Sequence, residues 1–237
     1  MSESIKSPKN YPSIAYAEGV TIVGGGSLTE RELSQAMQFA PRLIGADSGG
    51  QLIGAFNKVP EYVIGDFDST SEEFLDTFPS DRQIKIWDQD RTDLNKCLSV
   101  VNAPHYIGVG VLGDRIDHAL GAFNNLLQFA HKHILLLNEV HVCFLVPPKL
   151  CLQLPLDTTI SLFPFGAITG KSSGLKWEID SIAFAPCGMT GISNMTIKKK
   201  VELQFNQPIM ICILAKEYLE TVLESLQEAL QWPQVEP

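Results

Sequence analysis

The chain of 237 residues has no cysteine pair at C-x-x-C spacing: its five cysteines, Cys97, Cys143, Cys151, Cys187 and Cys212, are scattered and odd in number. That fits reduced, mostly buried thiols in a cytosolic protein better than a disulfide framework or a zinc site. Long hydrophobic runs are also missing; 134–137 and 209–215 fall far below the roughly 20 residues a helix needs to cross a bilayer. The first twelve residues, MSESIKSPKNYP, contain no apolar stretch, so no secretory signal is expected. Basic charge is in deficit, with 18 Lys+Arg against 27 Asp+Glu and a net charge of −9. Such a balance argues against nucleic acid or an anionic membrane as partner, while leaving room for an anionic substrate where a bound metal reverses the local sign. There is no internal repeat. The Gly24-Gly25-Gly26 run lacks both the G-K-[ST] ending of a phosphate loop and the spacing of a dinucleotide fingerprint, and reads as a tight strand–helix turn.

What is present is an alternation. Buried-strand runs (GVTIV, RLIGA, YVIG, QIKIW, YIGVGV, ILLL) alternate with helical segments up to about residue 147. SLTERELSQAMQFA carries Ser27 or Thr29 as N-cap, and IDHALGAFNNLLQFAHK is a long amphipathic helix. This pattern predicts a mostly parallel, doubly wound sheet covered by helices on both faces. After Pro147-Pro148 the chain turns to short strands broken by Gly and Pro: LCLQL, TTISLFPF, GLKWEI, SIAFA, MTIKK, VELQF and IMICILA. That is the signature of a small antiparallel sandwich, closed by a C-terminal helix in EYLETVLESLQEALQW. The expected division is an α/β domain at 13–147 and a sandwich with its terminal helix at 148–237.

In a doubly wound sheet, ligands bind beyond the carboxyl ends of the strands. At that edge the predicted loops carry Gly24–Gly26; Asp47; Asp66 and Asp68; Asp88, Gln89, Asp90, Arg91, Thr92 and Asp93; and Arg115, Asp117 and His118. The opposite loops, APR, NKVPE, PSDRQ and NAPH, hold no comparable acidic cluster. Turn chemistry alone would decorate both edges equally. Carboxylates gathered at one edge must recruit cations or share protons, and Mg²⁺ bridging them to a nucleotide phosphate meets that need. Arg115 and Lys96 would then offset phosphate charge. In IGDFDST, Phe67 is expected to turn away into packing so that both flanking aspartates face one ion. Trp177 is either a core residue or a ligand platform, Ser193-Asn194 either a turn pair or a contact, and His118 either a base or the structural partner of a carboxylate.

IGDFDST, DQDRTDLNKCL, GDRIDH and ISLFPF…TGKSSGLKWEI…GISN, in this order and spacing over roughly 20–205, resemble thiamin pyrophosphokinase. The resemblance implies a homodimer that moves the diphosphoryl group of ATP onto the thiamin hydroxyl with Mg²⁺, yielding thiamin diphosphate and AMP. It assigns Asp66, Asp68 and Asp93 to metal and catalysis, with Arg115 and Asp117 also catalytic. Asp47, Gln89, Thr92 and Lys96 fall to the ATP site, and Ser193, Asn194 and Trp177 to thiamin at a site shared between subunits. Ser48 and Asp114 stand where the family has glycine, which would shift those loops had the glycines positive φ. A magnesium-dependent phosphohydrolase and a sensor that binds without turnover are the alternative readings.

Overall fold

The computed structural model describes residues 11–113 and 115–234. In chain order the elements are β1 (Ile14–Ala15), β2 (Val20–Val23), α1 (Glu30–Phe39), β3 (Arg42–Ala46), α2 (Gly49–Ala55), β4 (Tyr62–Gly65), α3 (Glu72–Thr77), β5 (Gln83–Lys85), α4 (Asp93–Val100), β6 (Val101–Asn102), β7 (Tyr106–Val109), α5 (Ile116–Gln128), β8 (Ile134–Leu137), β9 (His141–Leu145), β10 (Lys149–Gln153), β11 (Thr159–Pro164), β12 (Gly170–Ser173), β13 (Gly191–Met195), β14 (Lys200–Phe205), β15 (Met210–Ala215) and α6 (Leu219–Glu228). Helix starts follow side-chain chemistry. Of the two N-cap candidates for α1, Thr29 holds the position: its Oγ1 accepts from Glu32 N at 3.2 Å, and Glu32 Oε2 accepts from Thr29 N at 2.8 Å. Ser71 and Thr92 cap α3 and α4 by the first of these bonds alone, accepting from Phe74 N and Asn95 N.

Strands β2, β7 and β8 pair in parallel, as do β3, β4 and β5. The two sets join where Arg42 N donates to Gly19 O at 3.2 Å and Val20 bridges Pro41. All four residues of β2, β7 and β8 are buried, as expected of parallel strands covered on both faces. The sheet then changes character without ending. β9 runs antiparallel to β8, and β15, β11 and β13 follow in antiparallel register, so the principal sheet of the sandwich continues the α/β sheet. A second antiparallel sheet, β10-β14-β12, packs against it through Leu150, Leu152, Val201 and Leu203 over Ile160, Leu162, Cys212 and Leu214. Helix α6 adds Leu219, Val222, Leu223 and Leu226 to the same core, and the Trp232 indole donates to Val146 O at 3.0 Å.

Three expected strands are loops. In GLKWEI the Glu178 carboxylate folds back to accept from Gly174 N at 2.9 Å and from Ser172 Oγ, while Asp180 accepts from Ser172 N at 3.2 Å. Acidic side chains supply the partners a strand neighbour would have supplied. In SIAFA only Phe184 bridges; MTIKK starts on the last residue of β13, Met195, bridges Leu175 at Thr196 and then turns at Ile197 and Lys198, whose N–H groups share Gly174 O.

Under the lower ends of β7 and β8 sit two imidazoles. His105 is buried; its Nε2 lies 3.0 Å from Phe39 O and its Nδ1 3.3 Å from Gln227 Nε2 on α6. A carbonyl only accepts and an amide nitrogen only donates, so this is the neutral Nε2–H tautomer. His133 Nε2 is buried and has no hydrogen-bond partner among the described residues. Burial pushes both pKa values below the ordinary histidine range, with His105 adding to the effect on His133. Each therefore takes up a proton more readily unfolded than folded, so its contribution to stability is present above the unfolded pKa of about 6.5 and is lost as pH falls toward the depressed folded value. The thermal midpoint should fall from pH 6.5 to pH 5, with a shallower fall in His133→Phe; equal slopes by calorimetry would exonerate that imidazole.

Candidate active site

The carboxyl ends of β2, β3, β4 and β7 converge on one cavity of about 590 Å³, walled by Gly24–Gly26, Asp47, Thr92, Asp93, Arg115 and Asp117 among others. Its floor is backbone on backbone. Gly26 N donates to Gly110 O at 2.9 Å, and a Cβ on Gly24 or Gly26 would stand 2.7 Å from that same oxygen. The triple glycine lets two loops close against each other, in agreement with its reading as a turn. Ser48 sits at φ −58°, an ordinary helical value, so a side chain there shifts nothing; the left-handed residue is its neighbour Asp47, at φ +49°. Asp114 lies outside the described residues.

Asp47, Asp66 and Asp68 form the acidic centre: one carboxylate oxygen of each lies within 4.8 Å of the other two. Asp47 is buried and fixed, accepting from Thr70 Oγ1 at 2.7 Å and from Ser69 N at 3.2 Å. It reaches Asp66 because Gly65 has no side chain; a Cβ there would stand 2.9 Å from that of Asp47. Asp66 and Asp68 are brought together by Phe67, whose φ of +68° is a left-handed turn costing a non-glycine residue on the order of 1 kcal/mol. Asp68 N donates to Asp66 Oδ1 at 3.2 Å across it. The expectation for the Phe67 ring is corrected: half-buried, it lies at the surface 5.7 Å from the Lys85 ammonium, which sits 3.9 Å from the centroid of the exposed Trp87 ring. Three such oxygens suit a hard cation, since Mg²⁺ bonds of about 2.1 Å place ligand oxygens roughly 3 to 4 Å apart.

Lys96 is the counterweight. Its side chain is 2% exposed, and Nζ donates to Asp66 Oδ2 at 2.6 Å and to Asp93 Oδ1 at 2.9 Å. Burial alone would lower the ammonium pKa, but the two carboxylates outweigh it and hold it above the ordinary value. For Asp66, burial pushes upward and is overcome by Lys96 and the Asp68 N–H, leaving its pKa depressed. For Asp93 burial wins despite Lys96, and its pKa is raised. The structure thus groups Asp47 with Asp66 and Asp68, and sets Asp93 at the head of α4 on the far side of Lys96. Lys96, expected at the phosphate, faces carboxylates.

The remaining sequence-derived residues fall in three places. Thr92 caps α4, its Oγ1 accepting from Asn95 N at 3.3 Å. Arg115 and Asp117 are exposed at the cavity, paired at 2.5 Å, which lowers the Asp117 pKa and raises that of Arg115. Gln89 is exposed in a loop closed by Asp88, which accepts from Asp90 N at 2.9 Å and Arg91 Nε at 2.7 Å, and it does not line the cavity. Trp177, Ser193 and Asn194 form a separate unit on the sandwich. Asn194 is buried, its Nδ2 donating to Trp177 O at 2.7 Å and its Oδ1 accepting from Trp177 N at 3.2 Å, so it clamps the loop that presents the 53% exposed Trp177 ring. Ser193, at φ +59°, is exposed beside it. None of the three lines the cavity of its own chain. The sequence reading passed over Asn125, a buried amide in the cavity wall; a polar residue at a core-facing position of α5 was its only signal.

Removing the Lys96 ammonium leaves Asp66 and Asp93 unpaired. Lys96→Met should destabilise the metal-free protein by about 2 kcal/mol in urea titration, less than a fully enclosed pair would give because Asp93 is 35% exposed. A change below a few tenths would mean the triad contributes nothing to folding.

Comparison with known proteins gives these loops a context. Thiamine pyrophosphokinase 1 of Oryza sativa subsp. japonica is 27% identical over 182 residues, covering 69% of this chain and 68% of its own. Thiamine pyrophosphokinase 1 of Arabidopsis thaliana is 26% identical over 178 residues, covering 67% and 66%. The crystal structure of thiamine pyrophosphokinase from Bacillus subtilis superposes with a TM-score of 0.69 at 22% identity, covering 84% of this chain and 99% of that one, and the Candida albicans enzyme with 0.70 at 16%, covering 90% and 96%. At those identities the superpositions speak for the fold. A family model for the thiamin pyrophosphokinase catalytic domain matches residues 33–137, and one for its vitamin B1 binding domain matches 149–210. Between them they account for more than two thirds of the length, and the chain belongs to the thiamin pyrophosphokinase family.

Proposed function

We propose that this protein transfers the diphosphoryl group of ATP to the hydroxyl of thiamin, giving thiamin diphosphate and AMP, with Mg²⁺ as the ion. The observation that carries the reading is the Asp47–Asp66–Asp68 cluster beside a glycine-floored cavity of nucleotide size, in a chain matched by both a catalytic and a vitamin B1-binding family model. Asp66 and Asp68, with Asp47, would hold the ion, whose chemistry is to neutralise the charge of the polyphosphate. Asp93 flanks that site and Lys96 positions it, keeping Asp66 ionised and the two aspartates apart. Thr92 and Arg115 face the phosphates, Asp117 orients Arg115, and Gln89 lies in the neighbouring loop that Asp88 closes, on the nucleotide side. Trp177 offers an aromatic face to thiamin, Asn194 fixes the loop behind it, and Ser193 adds a hydroxyl.

Catalysis is assigned to 13–147 and thiamin binding to 148–237, a division that falls between the two family models. A homodimer with the site at its interface is supported by the position of Trp177, Ser193 and Asn194 outside their own chain's cavity. The exposed apolar side chains of Ile116 and Leu120, at the head of α5, and of Ile192 suit a subunit contact. A cytoplasmic location is supported by the five free thiols. Among the described residues no helix is long and apolar enough to cross a membrane.

Incubation with ATP, Mg²⁺ and thiamin should yield AMP and thiamin diphosphate in equal amounts; phosphate release independent of thiamin would make it a phosphohydrolase, and binding without turnover a sensor. Asp68→Asn should lower turnover at least about a hundredfold with an unchanged melting temperature. For the shared site, Asp68→Asn and Trp177→Ala chains should each be inactive alone. Refolded together in equal amounts they should recover about a quarter of wild-type activity, because half of the dimers are mixed and each carries one intact site. No recovery would place the site within one chain.

A further inference from the structure

Four amides and hydroxyls run in a line through the buried contact between α4 and α5. Asn95 Nδ2 donates to Gln128 Oε1 at 2.6 Å and to Asn125 Oδ1 at 2.9 Å, and Asn125 Nδ2 donates to Thr92 Oγ1 at 2.9 Å. Asn95 is 6% exposed and Asn125 2%, and in this arrangement turning the Asn125 amide by itself would set its nitrogen against that of Asn95, two donors face to face. The consequence falls on Thr92. Its oxygen already accepts from Asn95 N as the cap of α4, and Asn125 fills the second lone pair. The hydroxyl proton is left without an acceptor among the described residues, and both Thr92 and Asn125 line the cavity.

We propose that Asn125, braced by Asn95, is a positioning residue that makes Thr92 a donor-only hydroxyl for a phosphate oxygen of the nucleotide. An unconstrained threonine rotates freely and can spend its proton on a neighbouring carbonyl. Here acceptance is saturated from behind, so the one remaining hydrogen-bonding capacity is directed at an oxyanion, the kind of contact that gains most from charge on the acceptor. The inference rests on the cavity taking the nucleotide and is independent of which acceptor receives the diphosphoryl group.

The test is the dissociation constant of Mg²⁺–ATP by titration calorimetry, in place of turnover. Asn125→Leu, close in shape and without the amide, should weaken ATP binding about tenfold. Thr92→Ser should stay within about threefold of wild type, and Thr92→Val should weaken binding to the same degree as Asn125→Leu. In the Thr92→Val background, Asn125→Leu should have no further effect, because the group it positions is gone. Additive losses would make Asn125 a packing residue and overturn the proposal. Should Asn125→Leu fail to fold, Asn125→Asp keeps the shape while drawing the Thr92 proton inward; unchanged affinity in that variant also overturns it. Wild-type protein that fails to bind ATP would overturn the nucleotide assignment, whereas ATP binding with no thiamin diphosphate formed would leave this inference standing and remove the acceptor.

Discussion

Like-charge repulsion at the end of β4 is the constraint around which the α/β half is arranged. Two carboxylates about 5 Å apart at the edge of a protein repel by on the order of 3 kcal/mol, and Asp47, Asp66 and Asp68 are held within that range, with Asp93 close behind them. The fold meets this in two ways. Lys96 enters from α4 and takes one oxygen each from Asp66 and Asp93. The loop after β4 supplies the rest: the N–H groups of Asp68 and Ser69, and the Thr70 hydroxyl, donate into Asp66 and Asp47. One ammonium set against four aspartates still leaves an excess of negative charge, and it is that excess a divalent cation with its polyphosphate would satisfy. The same crowding explains the absence of side chain at Gly65 and the strain at Phe67, since both shorten the distances between acids that would otherwise stay apart.

The sheet explains why the two halves of the chain can serve one reaction. β9 reverses direction after β8 and is hydrogen-bonded to β15, so the sandwich is joined to the nucleotide-side sheet by a full ladder of backbone bonds as well as by the connection at Pro147-Pro148. α6 and Trp232 fasten the same junction from below. The ladder ties the sandwich that carries Trp177 to the acidic centre within a chain, and Trp177 does not line its own chain's cavity.

Much of this was legible in the sequence because burial on both faces writes itself as continuous apolar runs: VTIV, YVIG and ILLL are strands for no other reason. The acidic edge was legible too, because strand ends determine which loops share a side. What escaped depends on dihedral angles and reciprocal side-chain bonds, which leave no periodic trace. Phe67 has a positive φ and a half-buried ring, and residue type announces neither. Asp47, not Asp93, completes the tight acidic group, since membership is decided by the missing Cβ of Gly65 and by the reach of Lys96. GLKWEI has the composition of a strand, yet its N–H groups go to scattered partners: Gly174 N to Glu178, Trp177 N to Asn194 Oδ1 and Ile179 N to Ser172 Oγ.

The Thr92 cap shows how one residue type carries two duties that sequence cannot separate. As an N-cap, threonine needs only an oxygen that accepts from the helix, and serine, aspartate or asparagine would do as well. The buried amides behind it make no sense for capping alone. Asn95 and Asn125 stand where apolar side chains would pack α4 on α5 without any polar group to satisfy, and a fully paired buried network fixes one arrangement of the groups it joins. A helix contact that forgoes an apolar seam for an ordered line of donors gains direction, and the line ends at the cavity. The direction is the reason to look for its use in binding the nucleotide and not in folding.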